Sequence, residues 1–391
     1  MPWRESSPMS ERLQFVQACM RRRGASILEI CARFGISEKT GHKYLRRFAE
    51  AGAAGLADRS HAPHHPTHGL APAVAARLVA LRKRFPRYGP VKLRDWLMQN
   101  EPARHWPAPS TIGDLLKRQG LVRARSRRAR VARRLEGRTA ATMPNDVWTV
   151  DFKGEFRLTS GPYCYPLTVL DLYSHFLLGC EALASPALRP TQQVFVQLFR
   201  AYGLPRVIRS DNGVPFAQPN AMGRLGALAF WWVRLGIRPE HTTPGRPADN
   251  GAHERFHKTL KAGATRPASA SFSAQQRRFE RFQREYNRER PHAALPGHWP
   301  PARVYHESTR EYPRRLPAIV YPDSAVVRLV TQCGAIKWRN HTVFLTRSLA
   351  GEYVALTETA DDLLTITYGA LALGELEPAR AHFTPLVRWV G

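Results

Sequence analysis

Val147-Trp148-Thr149-Val150-Asp151-Phe152 is the stretch at which the chain changes its pattern. Upstream of it, apolar residues recur at helical spacing; from here they run continuously or alternate, as in strands. Asp151 stands inside that apolar run, where a lone carboxylate is costly to bury unless something pairs with it. Residues 163–172 and 175–182 read as two further strands, and 191–202 as an amphipathic helix stopped by Gly203. A short strand over 206–210 then ends at Asp211-Asn212-Gly213. A helix at about 222–235, a short strand over 237–242 and a long helix from about residue 250 follow. Three strands, helix, strand, helix, strand, helix predict an α/β core with antiparallel and parallel parts. From Ser324 onward six short alternating strands, punctuated by Asn340, Asp361-Asp362 and Gly369, predict a small SH3-like β-barrel.

Before the core the pattern is helical. Helices are expected over 10–23, from Ser26 with Glu29 three residues on (a capping box), and from Ser37 to about Glu50, with Gly35 between the last two. The third presents Lys39, Thr40, His42, Lys43, Arg46 and Arg47, so the three form a helix-turn-helix unit suited to the major groove. A His- and Pro-rich linker separates it from a second helical block over 73–85, 91–99 and 110–119. That block reads as another helix-turn-helix unit, with Lys117 and Arg118 at the helix end that its dipole favours. Arg123, Arg125, Arg127, Arg128, Arg130, Arg133, Arg134 and Arg138 then stand against a single acid, Glu136, a block suited to lying along phosphates. The expected organisation is multidomain. An all-α helix-turn-helix domain (1–60) and a linker (61–72) precede a second helix-turn-helix domain (73–122) and an Arg-rich linker (123–142). The α/β core (143–310) and the SH3-like barrel (320–385) complete it.

Charge points to the partner. The 391 residues carry 59 Lys+Arg and 31 Asp+Glu, a net +28. Residues 1–140 hold 29 against 10 (net +19) and 141–391 hold 30 against 21 (net +9), so the basic character is concentrated where the helical units lie. A field of this sign selects a polyanion, here double-stranded DNA. Five scattered cysteines fit neither a disulfide framework nor a zinc knuckle. The apolar run 225–233 is too short for a bilayer, no signal core is visible, and no phosphate-cradling G-x-x-x-x-G-K-[ST] segment occurs. These features predict a cytoplasmic, nucleoid-associated protein with no membrane span and no nucleotide cofactor.

Three acids carry the chemistry. Asp151 sits in its strand, Asp211 lies just past a strand end where open α/β sheets place ligands, and Glu254 opens a helix. If the two strands are neighbours and the helix crosses their ends, the carboxylates converge. Three such anions repel one another, and an all-oxygen set suits Mg²⁺ or Mn²⁺. Two ions about 4 Å apart support in-line phosphoryl displacement. Lys258 and Lys261 share the helix face of Glu254 and could hold a DNA end there. Taken singly, Asp211-Asn212-Gly213 and Asp249-Asn250-Gly251 are ordinary turns, and Glu254 with Lys258 an ordinary surface pair. Asp171 reads as a strand-end residue. Glu240 competes as the third acid without helical lysines beside it, and His241, His253 and His257 are set aside as ligands.

These motifs, in this order, resemble the DDE transposase and retroviral-integrase superfamily, in particular bacterial insertion-sequence transposases of the integrase-core type. The matching stretches are residues 147–152, Arg209-Ser210-Asp211-Asn212-Gly213, and residues 244–257 from Pro244-Gly245-Arg246-Pro247 to His257. Tyr286-Asn287-x-x-Arg290-Pro291-His292-x-x-Leu295 resembles the segment closing that core. The resemblance implies an RNase H-like core with Asp151, Asp211 and Glu254 as catalytic metal ligands for two Mg²⁺ or Mn²⁺ ions. It implies a transposase that binds terminal inverted repeats, cleaves the ends and transfers the 3′-hydroxyl to target DNA, as a homodimer or higher oligomer. A metal-dependent nuclease that does not join, or a DNA-binding regulator with an inactive core, are the alternatives. The 43 positions between Asp211 and Glu254 exceed the spacing typical of retroviral integrases, which is consistent with an inserted helix packed by Trp231-Trp232. Arg→Ala changes within 123–138 are expected to weaken binding to all DNA sequences alike and to flatten its salt dependence, measured as the slope of log K against log salt.

Overall fold

The computed structural model describes residues 7–21, 24–59, 70–122, 138–218, 221–242, 251–359 and 363–389. It divides into two compact units, 1–72 and 73–391.

In the first unit α1 (Pro8–Met20), α2 (Ile27–Arg33) and α3 (Glu38–Ala51) surround a small core that includes Phe15, Val16, Ile30, Cys31 and Leu56. The Ser26 hydroxyl accepts from the Glu29 N–H, and the Glu29 carboxylate accepts from the Ser26 N–H, closing the capping box that starts α2. The Ser37 hydroxyl likewise accepts from Thr40 N–H to start α3. Gly41 lets α3 press onto the other helices: a Cβ there would lie 2.4 Å from Cys31 Sγ. That approach turns the basic side of α3 outward.

The second unit begins with α4 (Pro72–Arg84), α5 (Pro90–Asn100) and α6 (Pro109–Arg118). The mixed sheet follows, from β1 (Val147–Phe152), β2 (Phe156–Arg157), β3 (Tyr163–Asp171), β4 (Leu177–Leu183), α7 (Leu188–Tyr202), β5 (Val207–Ser210), α8 (Ala227–Arg234), β6 (Arg238–His241), α9 (Gly251–Leu260) and α10 (Phe272–Arg288). β4, β3 and β1 pair antiparallel, and β1, β5 and β6 pair parallel. Hence the order β4-β3-β1-β5-β6 is that of an RNase H-like core. β2 resumes the β1 side of the hairpin after a break at Gly154. Alternation along β1 and β3 sends Trp148, Val150, Leu167 and Val169 to a cluster with α7 and α8. Leu170 faces the other way, with Leu177 and Cys180 of β4, toward α9 and α10.

Helix α8, the crossover between the parallel strands β5 and β6, is buried all round from Leu228 to Val233. Leu228, Trp231 and Trp232 pack into the α7 side of the core, while Ala229, Phe230 and Val233 face the C-terminal strands. Those strands are β7 (Val326–Leu329), β8 (Ala335–Trp338), β9 (His341–Phe344), β10 (Tyr353–Thr359), β11 (Leu363–Tyr368), β12 (Leu371–Glu377) and β13 (His382–Trp389). They form an open antiparallel sheet, β13-β12-β11-β10-β7, and a separate hairpin, β8-β9. The closed SH3-like barrel expected from the sequence is therefore not formed by the described strands: edges β7 and β13 share no ladder. Its inner face is filled by Met222, Leu225, Phe230 and Val233 of the β5–β6 crossover, so the sheet need not close on itself to bury its apolar side. β13 is an added strand whose side chains are mostly exposed, which leaves little alternation to read.

Phe230 is buried and meets Tyr368 edge-to-face at 5.7 Å. Phe230→Ala is expected to destabilise the protein by about 3–5 kcal/mol, read as a lower urea midpoint. The loss should appear first in probes of the C-terminal sheet.

Candidate active site

Strands β1 and β5 run side by side with Val150 opposite Ser210. The next residues, Asp151 and Asp211, therefore emerge together at the C-terminal ends of adjacent parallel strands, both half-buried. Burial pushes the Asp151 carboxyl up to about 7. The charge of Asp211 adds to this and that of Glu254 adds less, while the Phe152 N–H and Lys153 pull the other way. Asp211 is raised too, mainly by burial, against a hydrogen bond from Gly213 N–H at 3.2 Å and the nearby His241. Glu254 lies exposed in the first turn of α9, whose buried side is His253, Phe256 and Leu260. Lys258 and Lys261 are exposed as well.

Among the described residues no three His, Cys, Asp or Glu side chains form a group that could hold a metal ion. Asp151 and Asp211 are paired, whereas Glu254 acts on Asp151 electrostatically without sharing one coordination sphere with both. The donor chemistry nonetheless fits a hard divalent cation: two oxygen-only side chains, one held near neutrality by burial and a like charge, are stabilised by such an ion.

Two histidines that the sequence reading set aside hold this end of the core together. Thr168 Oγ1 lies 3.0 Å from the Asp151 carbonyl oxygen, 2.7 Å from His253 Nε2 and 2.9 Å from His257 Nε2. A hydroxyl has one proton, and the carbonyl can only accept it, so both imidazoles donate to Thr168 through Nε2–H. His253 Nδ1 lies 3.0 Å from Thr149 Oγ1, which is also 3.4 Å from the Leu170 carbonyl oxygen. The Nδ1 lone pair of His257 faces Asp151 Oδ2 at 3.7 Å. Burial keeps both rings neutral: His257 falls to about 3, with Lys153 adding to the effect, and His253 falls well below the ordinary range. α9 is thereby pinned to β1 and β3 by polar groups that bring no charge to the acids. The visible signal was the four-residue spacing of His253 and His257, which puts both on one helix face.

The competing acids have structural partners. Glu240 accepts from Arg209 at 2.9 and 3.1 Å and from Thr139, an ion pair almost wholly buried. Asp171 accepts from Asn145 N–H at 2.8 Å and from the backbone and hydroxyl of Ser174. His241 Nδ1 lies 3.1 Å from Ser210 Oγ beside Asp211.

Of the DNA-contact candidates, Lys39, His42, Lys43 and Arg46 are exposed on α3, and Thr40 and Arg47 are half-buried there. His42 and Arg46 lie near Glu38 and Glu50 at 3.7 and 3.8 Å. Lys117 and Arg118 are exposed in the last turn of α6. Arg123, Arg125, Arg127, Arg128, Arg130, Arg133 and Arg134 lie outside the described residues, as does the stretch 243–250. No described helix is long and apolar enough to cross a membrane.

Residues 141–247 and 235–301 match two integrase core domain families, residues 11–64 a helix-turn-helix domain, and residues 40–116 a homeodomain-like domain. A 39.2 kDa protein of insertion element IS476 from Xanthomonas euvesicatoria is 28% identical over 232 residues, 59% of this chain. A 31.7 kDa protein of insertion element IS407 from Burkholderia multivorans is 26% identical over 226 residues, 57% of this chain and 77% of its own length. The Pol polyprotein of feline endogenous virus ECE1 is 27% identical over 130 residues, 33% of this chain. The matches span 64% of the Xanthomonas protein and 12% of the feline polyprotein. Among solved structures, an HTLV-2 integrase catalytic core domain in complex with magnesium superposes with TM-score 0.33 at 15% identity, covering 43% of this chain and 100% of that one. A simian T-cell lymphotropic virus intasome does so with TM-score 0.36 at 12% identity, covering 80% and 98%. The chain thus carries an integrase core domain together with helix-turn-helix domains, and it is similar to proteins of bacterial insertion elements.

Proposed function

We propose that the chain binds the terminal inverted repeats of its own insertion element, cleaves the element ends and transfers each 3′-hydroxyl to target DNA. The observation that carries this reading is the pairing of Asp151 with Asp211 at neighbouring parallel strand ends, with Asp151 pushed up to about 7. Asp151, Asp211 and Glu254 are the metal ligands and catalytic residues in this reading. Mg²⁺ or Mn²⁺, two ions per site, would supply charge neutralisation and activation of the attacking oxygen.

The chain's own groups do the rest. Asp151 and Asp211 present oxygens from neighbouring parallel strands of one sheet, and Glu254 joins them from the first turn of α9. His253 and His257 keep α9 seated on β1 and β3 without adding a cation. Lys258 and Lys261, on the face of Glu254, hold phosphates of the reacting strand. Water attack breaks one phosphodiester and frees a 3′-hydroxyl. Attack of that hydroxyl on a target phosphodiester forms one such bond as it breaks another, so no nucleotide cofactor is needed. The exposed residues of α3 read the repeat, and Lys117, Arg118 and the arginines of 123–138 add affinity for phosphates. Two ends must meet, so the working form is a dimer or larger on double-stranded DNA.

Asp151→Asn, Asp211→Asn and Glu254→Gln are each expected to abolish cleavage and joining while leaving binding to an element-end duplex intact. Parallel loss of binding would refute the assigned roles, and joining of a pre-cleaved end separates a transposase from a nuclease. The raised Asp151 also sets a sign for stability. Between the ordinary carboxyl range and about 7, the folded chain holds a proton that the unfolded chain has released, so metal-free stability falls as pH rises through that window. Asp151→Asn is expected to raise the metal-free melting temperature at pH 8 by roughly 2–4 °C, with the gain shrinking toward pH 5. Mg²⁺ should stabilise the wild type at pH 8 more than the variant.

A further inference from the structure

A cleft of about 340 Å³ opens where the α4–α5 turn meets the end of α9 and the outer side of α10. Its lining is lopsided in charge: Arg84, Arg87, Arg278, Arg281 and Arg290 against Glu285. Some of these are already engaged. Arg84 pairs with Glu289 at 2.8 Å, and Arg278 donates to the Arg266 carbonyl at 3.0 Å. Arg87 and Arg281 make no ion pair with a described carboxylate. Burial lowers the pKa of Arg87, and the like charges of Arg290 and Arg278 lower it further, so nearby cations oppose its charge with only Glu285 in its favour. An anion in the cleft would relieve that repulsion.

The floor is shaped rather than incidental. Phe85 and Tyr88 stack at 4.5 Å, and the buried Tyr88 hydroxyl has no hydrogen-bond partner among the described residues. Gly263 admits Phe282 and Arg87 to the wall, since a Cβ there would lie 2.6 Å from the Phe282 ring and 2.9 Å from Arg87 Nη1. The charge also continues beyond the cleft. Arg277, Arg281 and Arg284 are exposed at positions i, i+4 and i+7 of α10, one helix face, and all three line an adjoining hollow. None of them makes an ion pair with a described carboxylate. The two hollows share Arg281, so the basic surface is a track, which suits an extended polyanion better than a small one.

Thr259, on the cleft wall, follows Glu254 by five residues of α9, about 7.5 Å along the helix axis and about 140° around it, so the cleft flanks the helix that carries Glu254 but opens on another side of it. We propose that the cleft and the adjoining α10 face bind consecutive backbone phosphates of DNA, with Arg87 and Arg281 as direct contacts. This rests on the function proposed above.

The test uses the full chain and two fluorescent duplexes, one carrying the element end and one a scrambled sequence, titrated between about 50 and 200 mM KCl. Arg87→Gln with Arg281→Gln should lower the slope of log K against log salt by nearly 2, about 0.9 per lost phosphate contact, for both duplexes alike. Arg281→Lys in place of Gln should restore part of the slope. Uncharged methylphosphonates placed one at a time along the element-end duplex should weaken the wild type at some positions and leave the double variant unaffected at those same positions. An unchanged slope in a variant that melts like the wild type overturns the proposal, as does an unchanged slope with an altered sedimentation coefficient, which would assign the face to a second copy of the chain. If Arg87→Gln fails to fold, exposed Arg281→Gln alone carries the test, with a slope change of about 0.9. A wild-type chain that binds neither duplex sinks the function proposed above instead.

Discussion

Placing two carboxylates side by side at the ends of parallel strands is the interaction on which the rest of this core depends. Val150 and Ser210 are in register, so Asp151 and Asp211 cannot avoid each other. The surroundings withhold the cations that could neutralise them. Arg209, opposite Thr149 on the adjacent strand, is tied to Glu240. His253 and His257, which come close from α9, are held neutral by burial and by their bonds to Thr149 and Thr168. Lys153 acts on Asp151, but burial weakens its own hold on a proton. A site arranged this way keeps a standing deficit of positive charge, which a proton relieves at low pH and a hard divalent cation could relieve above it.

The same core reaches the C-terminal sheet through one helix. α8 has no solvated face: alternate sides enter the cluster around Trp148 and Phe199 and the cluster around Ile366 and Leu373. Arg234 at its end pairs with Glu352 at 3.0 Å, fixing the sheet against the helix. The crossover between β5 and β6 is thus the packing surface of the next layer, which explains why a five-stranded sheet stays open. Its apolar side already has a cover, and an open edge with a filled face costs less than an unfilled closed barrel.

Much of this was legible from residue patterns, for physical reasons. β1 announces itself because a strand covered on both faces reads as an unbroken apolar run. Ser26 with Glu29, and Ser37, mark helix starts because unsatisfied N–H groups demand those side chains. Barrel closure was not legible, because strand alternation reports that one face is buried and says nothing of what buries it. Glu240 and Glu254 could not be told apart by type; Arg209, thirty-one residues before Glu240 in the chain and beside it across the parallel pair β5-β6, separates them. His253 and His257 were visible as a helical pair, but their role depends on the single hydroxyl proton of Thr168, a residue on another strand.

A cluster of acids that handles a polyanion faces an electrostatic problem that a cation at the site solves only in part. Phosphates on either side of the reacting one still meet the carboxylates' field, and they must be held by contacts placed elsewhere. The fold supplies positive charge away from the acids: Lys258 and Lys261 on the face of Glu254, and Arg87 and Arg281 at the α9–α10 cleft. Under the proposed function, binding energy gathered at those contacts would press one phosphodiester against Asp151 and Asp211, so that attraction remote from the reacting bond offsets repulsion at it. On this argument the acids and the arginines are one device, and a chain that kept the carboxylates without the flanking charge would hold its metal and reject its DNA.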